Sequence, residues 1–144
     1  MIQQFLFLPA LSSFRELANV FLRVLTGSFL VWGVWDNVVS GERMAEFEAF
    51  MSQFGFPMVE ILAPLSIYTQ LIAGLGLVFG LFTRWAGLLV MANFVVGVLM
   101  VHLSDDFRGM WPAIVLIAIG FHFATVGGGR FSLDRMFSGN KEAA

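Results

Sequence analysis

The chain has 144 residues, of which 58% are hydrophobic and 12% are charged, with a formal net charge of −2 and no cysteine. A soluble domain carries roughly 25% charged residues because much of its surface touches water, so this composition excludes an ordinary soluble protein and predicts a surface that faces lipid. The small net charge and the lack of any Lys/Arg run argue against a nucleic-acid partner, and the missing cysteine excludes disulfides, iron–sulfur clusters and zinc–thiolate sites.

Four segments are long and apolar enough to cross a bilayer, whose hydrocarbon core takes about 20 residues of helix. The sequence therefore predicts an all-α fold, an integral membrane bundle of four antiparallel helices in which residues 1–144 form a single membrane domain. The predicted spans lie at about residues 17–39, 57–82, 85–103 and 110–126.

The first connection is the only long one, and four large apolar residues between positions 47 and 54 recur there at helical spacing opposite glutamates. This pattern predicts a short interfacial helix within residues 41–56, and a lid packed on the mouth of the bundle fits the pattern equally well. The second connection is only Thr83-Arg84, which predicts a tight hairpin between the second and third spans. In the second span, Gly76 and Gly80 form a GxxxG step, which favours helix packing within one bundle over a dimer face.

Basic residues concentrate on the side of the membrane that holds both termini, because an even number of spans places the two termini together. This asymmetry predicts cytoplasmic termini. The basic residues on the predicted cytoplasmic side are Arg15, Arg84, Arg130, Arg135 and Lys141, with Arg23 just inside the membrane, against Arg43 and Arg108 on the other side.

Three uncharged polar residues lie near the predicted midplane, where a polar side chain is costly and therefore a candidate for function. Gln70 and Asn93 sit at nearly equal depth in the two helices of the tight hairpin, and Tyr68 lies beside that layer. Two interpretations stay open: the two amides hydrogen-bond to each other, or they clamp the carbonyl of a ligand.

Asp36, Glu60 and His102 lie near the predicted outer face. Carboxylates beside an imidazole suit proton transfer or cation binding, although the same residues also occur as ordinary helix ends in contact with water. His102 and His122 fall at opposite faces, about 25 Å apart, so they do not bracket one haem iron, and a six-coordinate haem within the chain is not expected. No metal site is predicted.

Arg23 and Arg84 lie near the predicted cytoplasmic face. A cation at the depth of Arg23 needs either a carboxylate partner or a lipid phosphate that its guanidinium reaches by snorkelling, and both stay open, since no acidic residue shares that depth. After the fourth span, the run from Gly127 to Asp134 either binds an anion through its backbone N–H groups or ends the helix. We favour the helix end, followed by a short turn that Ser132 caps.

The run Gly80-Leu81-Phe82-Thr83-Arg84 resembles the GL-x-TR hairpin of the DoxX-like membrane proteins. Other features agree with that family in order and spacing, and together they cover about residues 21–134. At position 70 the family commonly has a glutamate, so the amide here departs from the pattern. The agreeing features are Arg23 followed by Gly27, the runs Gly55-Phe56-Pro57 and Ala63-Pro64, His102 at the end of the third span, and the run Gly127–Asp134.

The resemblance implies a four-helix protein of the bacterial inner membrane, and some family members are subunits of thiosulfate:quinone oxidoreductase or of other membrane redox complexes. We therefore expect a membrane subunit of an oxidoreductase system, with a quinone as candidate cofactor and other subunits or further copies of the chain as candidate partners. No catalytic constellation is visible, and the alternatives are a non-enzymatic anchor or assembly subunit and, third, a small proton-coupled transporter. Candidate quinone-binding residues are Gln70, Asn93, Tyr68 and His102, and candidates for handling charge or protons are Arg23, Asp36, Glu60 and Arg84.

Overall fold

The structure, a computed structural model, describes residues 8–139. These residues form helices joined by short turns, with no strand among them, which confirms the predicted all-α fold. Residues 1–7 and 140–144, and with them Lys141, lie outside the described residues. The helices are α1 (Arg15–Val39), α2 (Gly41–Gln53), α3 (Val59–Phe79), α4 (Thr83–Gly97), α5 (Phe107–Val126) and α6 (Leu133–Ser138).

Four of these helices, α1, α3, α4 and α5, are long and apolar enough to cross a membrane, which confirms the predicted number of spans. A 3₁₀ turn, Pro9–Phe14, precedes α1, and a π-helical turn, Val98–His102, continues α4, so both spans extend beyond their α-helical bounds. The described chain is a helical membrane bundle.

The first connection forms a helix, α2, as predicted. Ser40 begins it, because the Ser40 hydroxyl accepts a hydrogen bond from the backbone N–H of Arg43 (3.3 Å). α2 packs against both α1 and α3 and buries the side chain of Met51. It therefore rests on the bundle, as the lid interpretation requires.

The turn between the second and third spans lies earlier than predicted. α3 ends at Phe79, Gly80 follows in the left-handed region (φ 66°), and Thr83 and Arg84 already belong to α4. The prediction that Thr83-Arg84 forms the connection is therefore wrong, by about one helical turn. Phe82 also adopts a positive φ (49°), which a side chain accepts only where other contacts hold it.

The helices pack as two similar pairs, α1 with α3 and α4 with α5, and each pair crosses at two facing glycines. A Cβ on Gly27 would lie 2.5 Å from the carbonyl oxygen of Gly74, and a Cβ on Gly87 would lie 2.6 Å from that of Gly120. In the reverse direction, a Cβ on Gly74 would lie 2.9 Å from the carbonyl oxygen of Gly27, and a Cβ on Gly120 would lie 2.7 Å from that of Gly87. The two backbones of each pair therefore touch, which lets helices associate in lipid without a hydrophobic driving force.

Only one glycine of the GxxxG step packs between helices. A Cβ on Gly76 would lie 3.2 Å from the Cβ of Ala86, across the α3–α4 hairpin, which agrees with packing within one bundle. Gly80 instead ends α3, and a Cβ there would collide with the guanidinium of Arg23. Contacts between α3 and α4 join the two helix pairs into one core, whose buried members are Leu30, Ala73, Leu77, Ala86, Val90, Leu116 and Phe123.

Candidate functional site

Two amide side chains of the predicted midplane layer are joined by a hydroxyl. The Ser66 hydroxyl donates a hydrogen bond to Asn93 Oδ1 (2.9 Å), and Gln70 Nε2 donates to Ser66 Oγ (3.4 Å). The amides of α3 and α4 therefore meet through Ser66 and not directly. Sequence reasoning missed Ser66, although its position four residues before Gln70 places it on the same face of the helix.

This bridge leaves part of each amide unused. Asn93 Nδ2 and Gln70 Oε1 have no hydrogen-bond partner among residues 8–139, and both side chains are half-buried. The pair can therefore offer an N–H donor and a carbonyl acceptor to a further group.

Tyr68 and His102, the other two predicted ligand-binding residues, lie apart from this pair. Tyr68 is two residues from Gln70, a rotation of about 200° around the helix axis, and 46% of its surface is exposed. His102 lies about 13 Å beyond Asn93 along the third span, and its Nδ1 is 2.7 Å from Asp105 Oδ2. The structure thus joins two of the four candidates.

Asp36 and Glu60 are exposed residues near helix ends. The Asp36 carboxylate accepts a hydrogen bond from the N–H of Asn37 (3.0 Å). Glu60 lies in the first turn of α3, where a negative charge complements the helix dipole. Neither forms an ion pair within the described part of the chain, so their placement agrees with ordinary helix ends in contact with water.

Most polar contacts between elements lie at the terminal face, the end of the bundle formed by the start of α1, the α3–α4 turn and the residues after α5. Arg23 is buried there, with 3% of its surface exposed. Its Nη1 donates to the carbonyl of Gly128 and its Nη2 to that of Phe131, each at 2.8 Å. Neither snorkelling of Arg23 to lipid nor a carboxylate partner is found among the described residues, because the protein's own backbone supplies the acceptors.

The residues after α5 form a latch, defined as residues 127–134, that folds back over the terminal face. The Ser132 hydroxyl accepts a hydrogen bond from the backbone N–H of Arg135 (3.3 Å) and so caps the start of α6. This confirms the prediction that α5 ends at the glycines and is followed by a turn that Ser132 caps. Glu16, in the first turn of α1, accepts the N–H of Arg130 (2.7 Å). The latch is thereby tied to α1 at Glu16 as well as at Arg23.

Asp134 connects the latch to the α3–α4 turn. Its carboxylate accepts the backbone N–H groups of Phe82 (2.6 Å) and Thr83 (2.8 Å), and its own N–H donates to the carbonyl of Gly80 (2.9 Å). The two accepted N–H groups lie at the start of α4, where a helix leaves its donors unpaired. Asp134 therefore caps α4 from a distant part of the chain and holds Phe82 at its positive φ.

A histidine and an asparagine join α5 to α1 beside the latch. His122 Nε2 lies 3.1 Å from Asn19 Oδ1, and Asn19 Nδ2 donates to the carbonyl of Gly127 (3.3 Å). Because Nδ2 donates, Oδ1 must accept, so His122 Nε2 carries the proton. Asn19 was not among the predicted residues, although it lies four residues before Arg23 and so shares its helix face.

Arg84 contacts the end of α5. Its Nη1 donates to the carbonyls of Ala124 and Thr125, which belong to the last helical turn and lack partners within the helix. A positive charge at this position also complements the negative end of the helix dipole. Arg84 therefore has a structural role at the terminal face.

Replacing Asp134 with alanine is expected to lower the free energy of unfolding by about 2 kcal/mol, because two backbone N–H groups lose a charged acceptor. Thermal unfolding in detergent measures the change. Asp106→Ala is the matched control, since Asp106 caps α5 through a contact to the nearby Gly109 N–H alone (2.8 Å) and we expect about 1 kcal/mol for it. Equal effects of the two substitutions would contradict the bridging role of Asp134.

Comparison with known proteins identifies one family. A family model described as DoxX matches residues 18–103, more than half of the chain, and this stretch contains Arg23, Gln70 and Asn93. No curated protein and no solved structure matches the chain. The chain belongs to the DoxX family of membrane proteins.

Proposed function

We propose that this DoxX-family protein is a membrane subunit of an oxidoreductase system of the bacterial inner membrane, with cytoplasmic termini, and that it binds a quinone between Gln70 and Asn93. The unused Asn93 Nδ2 and Gln70 Oε1 are the observation that supports this proposal. The resemblance to subunits of membrane redox complexes supplies the substrate class.

The two amides suit both redox states of a quinone. A quinone carbonyl accepts a hydrogen bond and can take it from Asn93 Nδ2, whereas a quinol hydroxyl donates and can give its bond to Gln70 Oε1. An amide does not titrate in the physiological range, so Gln70 binds and orients the ring without supplying a proton. The protons of the redox step then come from the partner enzyme or from water.

The test is to purify the protein in mild detergent, extract the bound lipids and quantify quinone. We expect about one quinone per chain, and Asn93→Leu should weaken quinone binding about threefold to twentyfold, because one hydrogen bond within a membrane bundle contributes about 0.6 to 1.7 kcal/mol. Tyr68→Phe is the matched control, since Tyr68 lies on another face of α3, and it should retain quinone. No quinone in the wild-type protein, together with no effect of Gln70→Leu on a coupled activity, would contradict the proposal.

A non-enzymatic anchor or assembly subunit is the second candidate. Three large apolar side chains at the terminal face, Phe131, Met136 and Phe137, are 66%, 76% and 77% exposed. Exposed apolar residues of this kind suit contact with a partner subunit. An oxidoreductase that leaves the membrane in Met136→Ser and Phe137→Ser variants, while no quinone copurifies with the wild-type protein, would favour the anchor.

A further inference from the structure

Two adjoining cavities lie at the terminal face, apart from the midplane amides. The first is a cleft of about 940 Å³ between the α3–α4 turn and the latch, lined by apolar side chains and by Thr83, Arg84 and Arg135. The second is an apolar groove of about 540 Å³ between α3 and α4. Both are lined by Leu81, Phe82 and Trp85, so the cleft continues into the groove.

The groove has the composition of a site for a hydrocarbon chain. Its walls come from the outer faces of the two spanning helices, and Ile72, Leu75 and Phe79 of α3 line it with exposed side chains. Trp85 stands where the groove meets the cleft, at the end of a span, which is the usual place of tryptophan at the boundary between hydrocarbon and headgroups. Because the groove opens on helix faces that a bilayer surrounds, an acyl chain can enter it sideways.

The cleft has the charge of an anion site. Arg84 and Arg135 both line it. Nε and Nη2 of Arg84 lie 3.5 and 3.7 Å from the place that a Cβ on Gly127 would take, so the guanidinium lies directly against the glycine backbone. The carboxylate in the lining, Asp134, is engaged by two backbone N–H groups. Positive charge therefore predominates among the side chains that line the cleft.

A buried hydroxyl in the lining adds a second, independent observation. Thr83 has no exposed surface, and its Oγ1 has no hydrogen-bond partner among residues 8–139. A buried polar atom without a partner is rare in proteins, since it raises the free energy of the folded state. An oxygen-rich ligand headgroup in the cleft would give this hydroxyl an acceptor.

We propose that the cleft and groove together bind one anionic phospholipid. The phosphate lies between Arg84 and Arg135, with Thr83 as an additional donor, and one acyl chain extends past Trp85 into the groove. A zwitterionic lipid gains less, because its positive headgroup opposes the two arginines. The site is separate from the amide pair of the proposed function, so either proposal can fail without the other.

Native mass spectrometry of the full chain, titrated with phosphatidylglycerol or phosphatidylcholine, tests the proposal. We expect saturable binding of one phosphatidylglycerol per chain and clearly weaker binding of phosphatidylcholine. Arg135→Gln should weaken phosphatidylglycerol binding about fivefold, the effect of one basic residue near an anionic lipid. Arg15→Gln is the matched control, because Arg15 lies at the same face outside the cleft lining.

A second pair of variants tests the groove without touching a charge. Leu75→Trp should fill the groove and weaken lipid binding, whereas Leu65→Trp, on an exposed part of α3 outside the groove lining, should leave it unchanged. Millimolar inorganic phosphate should displace little lipid, because it lacks the chain that occupies the groove. Equal binding of the two lipids, equal effects of Arg135→Gln and Arg15→Gln, or full displacement by phosphate would overturn the proposal.

Discussion

Replacing Arg23 with methionine is expected to lower the free energy of unfolding by about 4 kcal/mol. The guanidinium supplies hydrogen bonds to two carbonyls of the latch, at Gly128 and Phe131, and methionine leaves both acceptors without a donor. An acceptor left unpaired in the interior costs about 1 to 3 kcal/mol. The loss should be measurable as a lower midpoint of unfolding in detergent.

Arg15→Met is the control for this prediction, because Arg15 is exposed at the start of the same helix. We expect a change within about 0.5 kcal/mol for it. Arg23→Lys should be intermediate, since one ammonium group does not reproduce the planar fork that reaches two carbonyls at once. Equal stability of the Arg23→Met and Arg15→Met proteins would show that the latch does not depend on Arg23.

The second large effect is expected at the crossing of α4 and α5. Gly87→Ala should lower the free energy of unfolding by about 3 kcal/mol, because the added Cβ would lie 2.5 Å from the backbone nitrogen of Ala124 and 2.6 Å from the carbonyl oxygen of Gly120. Neither atom belongs to a side chain that could rotate away. The two helices must therefore separate, which also weakens the contacts of the buried Phe123.

Gly97→Ala separates this contact from the general effect of glycine in a helix. Gly97 ends α4 and has nothing within 4 Å of the place of a Cβ, so alanine there should be neutral or stabilising by up to about 1 kcal/mol. Unfolding in the same detergent compares the two variants. A tolerated Gly87→Ala, as stable as Gly97→Ala, would contradict the backbone contact.

The four spans and α2 could be predicted because their signals are local. Hydropathy over about 20 residues identifies a spanning helix, and the spacing of apolar residues identifies α2. The exact turn could not be found in the same way. Phe82 accepts a positive φ because Asp134, more than 50 residues later, takes its N–H, and no pattern near Phe82 contains that information.

The partners of Arg23 show a similar limit. From the sequence, the partners that can be identified for a buried cation are charged groups, namely the carboxylates of Asp and Glu and the phosphates of the lipid. Here the acceptors are backbone carbonyls, at Gly128 and Phe131, and every residue has one. Only the folding of the latch over the terminal face selects those two carbonyls.

Depth alone indicates that the amides of the midplane layer lie near each other, but it does not indicate the third member of the hydrogen-bonded group. Counting residues along the helices predicts Gln70 and Asn93 in one layer, and the structure connects them through Ser66. Tyr68 shares that depth and nevertheless lies on another face, because each residue turns the helix by about 100°. Helical phase, combined with depth, would have favoured Ser66 over Tyr68.

Photolabelling with an azido-quinone is the most direct test of quinone binding at the amide pair. The label should map to the parts of α3 and α4 around Ser66 and Asn93, excess unlabelled quinone should prevent it, and Asn93→Leu should reduce it while Tyr68→Phe does not. Labelling confined to the terminal face, or labelling around Ser66 that Asn93→Leu leaves unchanged, would contradict the proposed site.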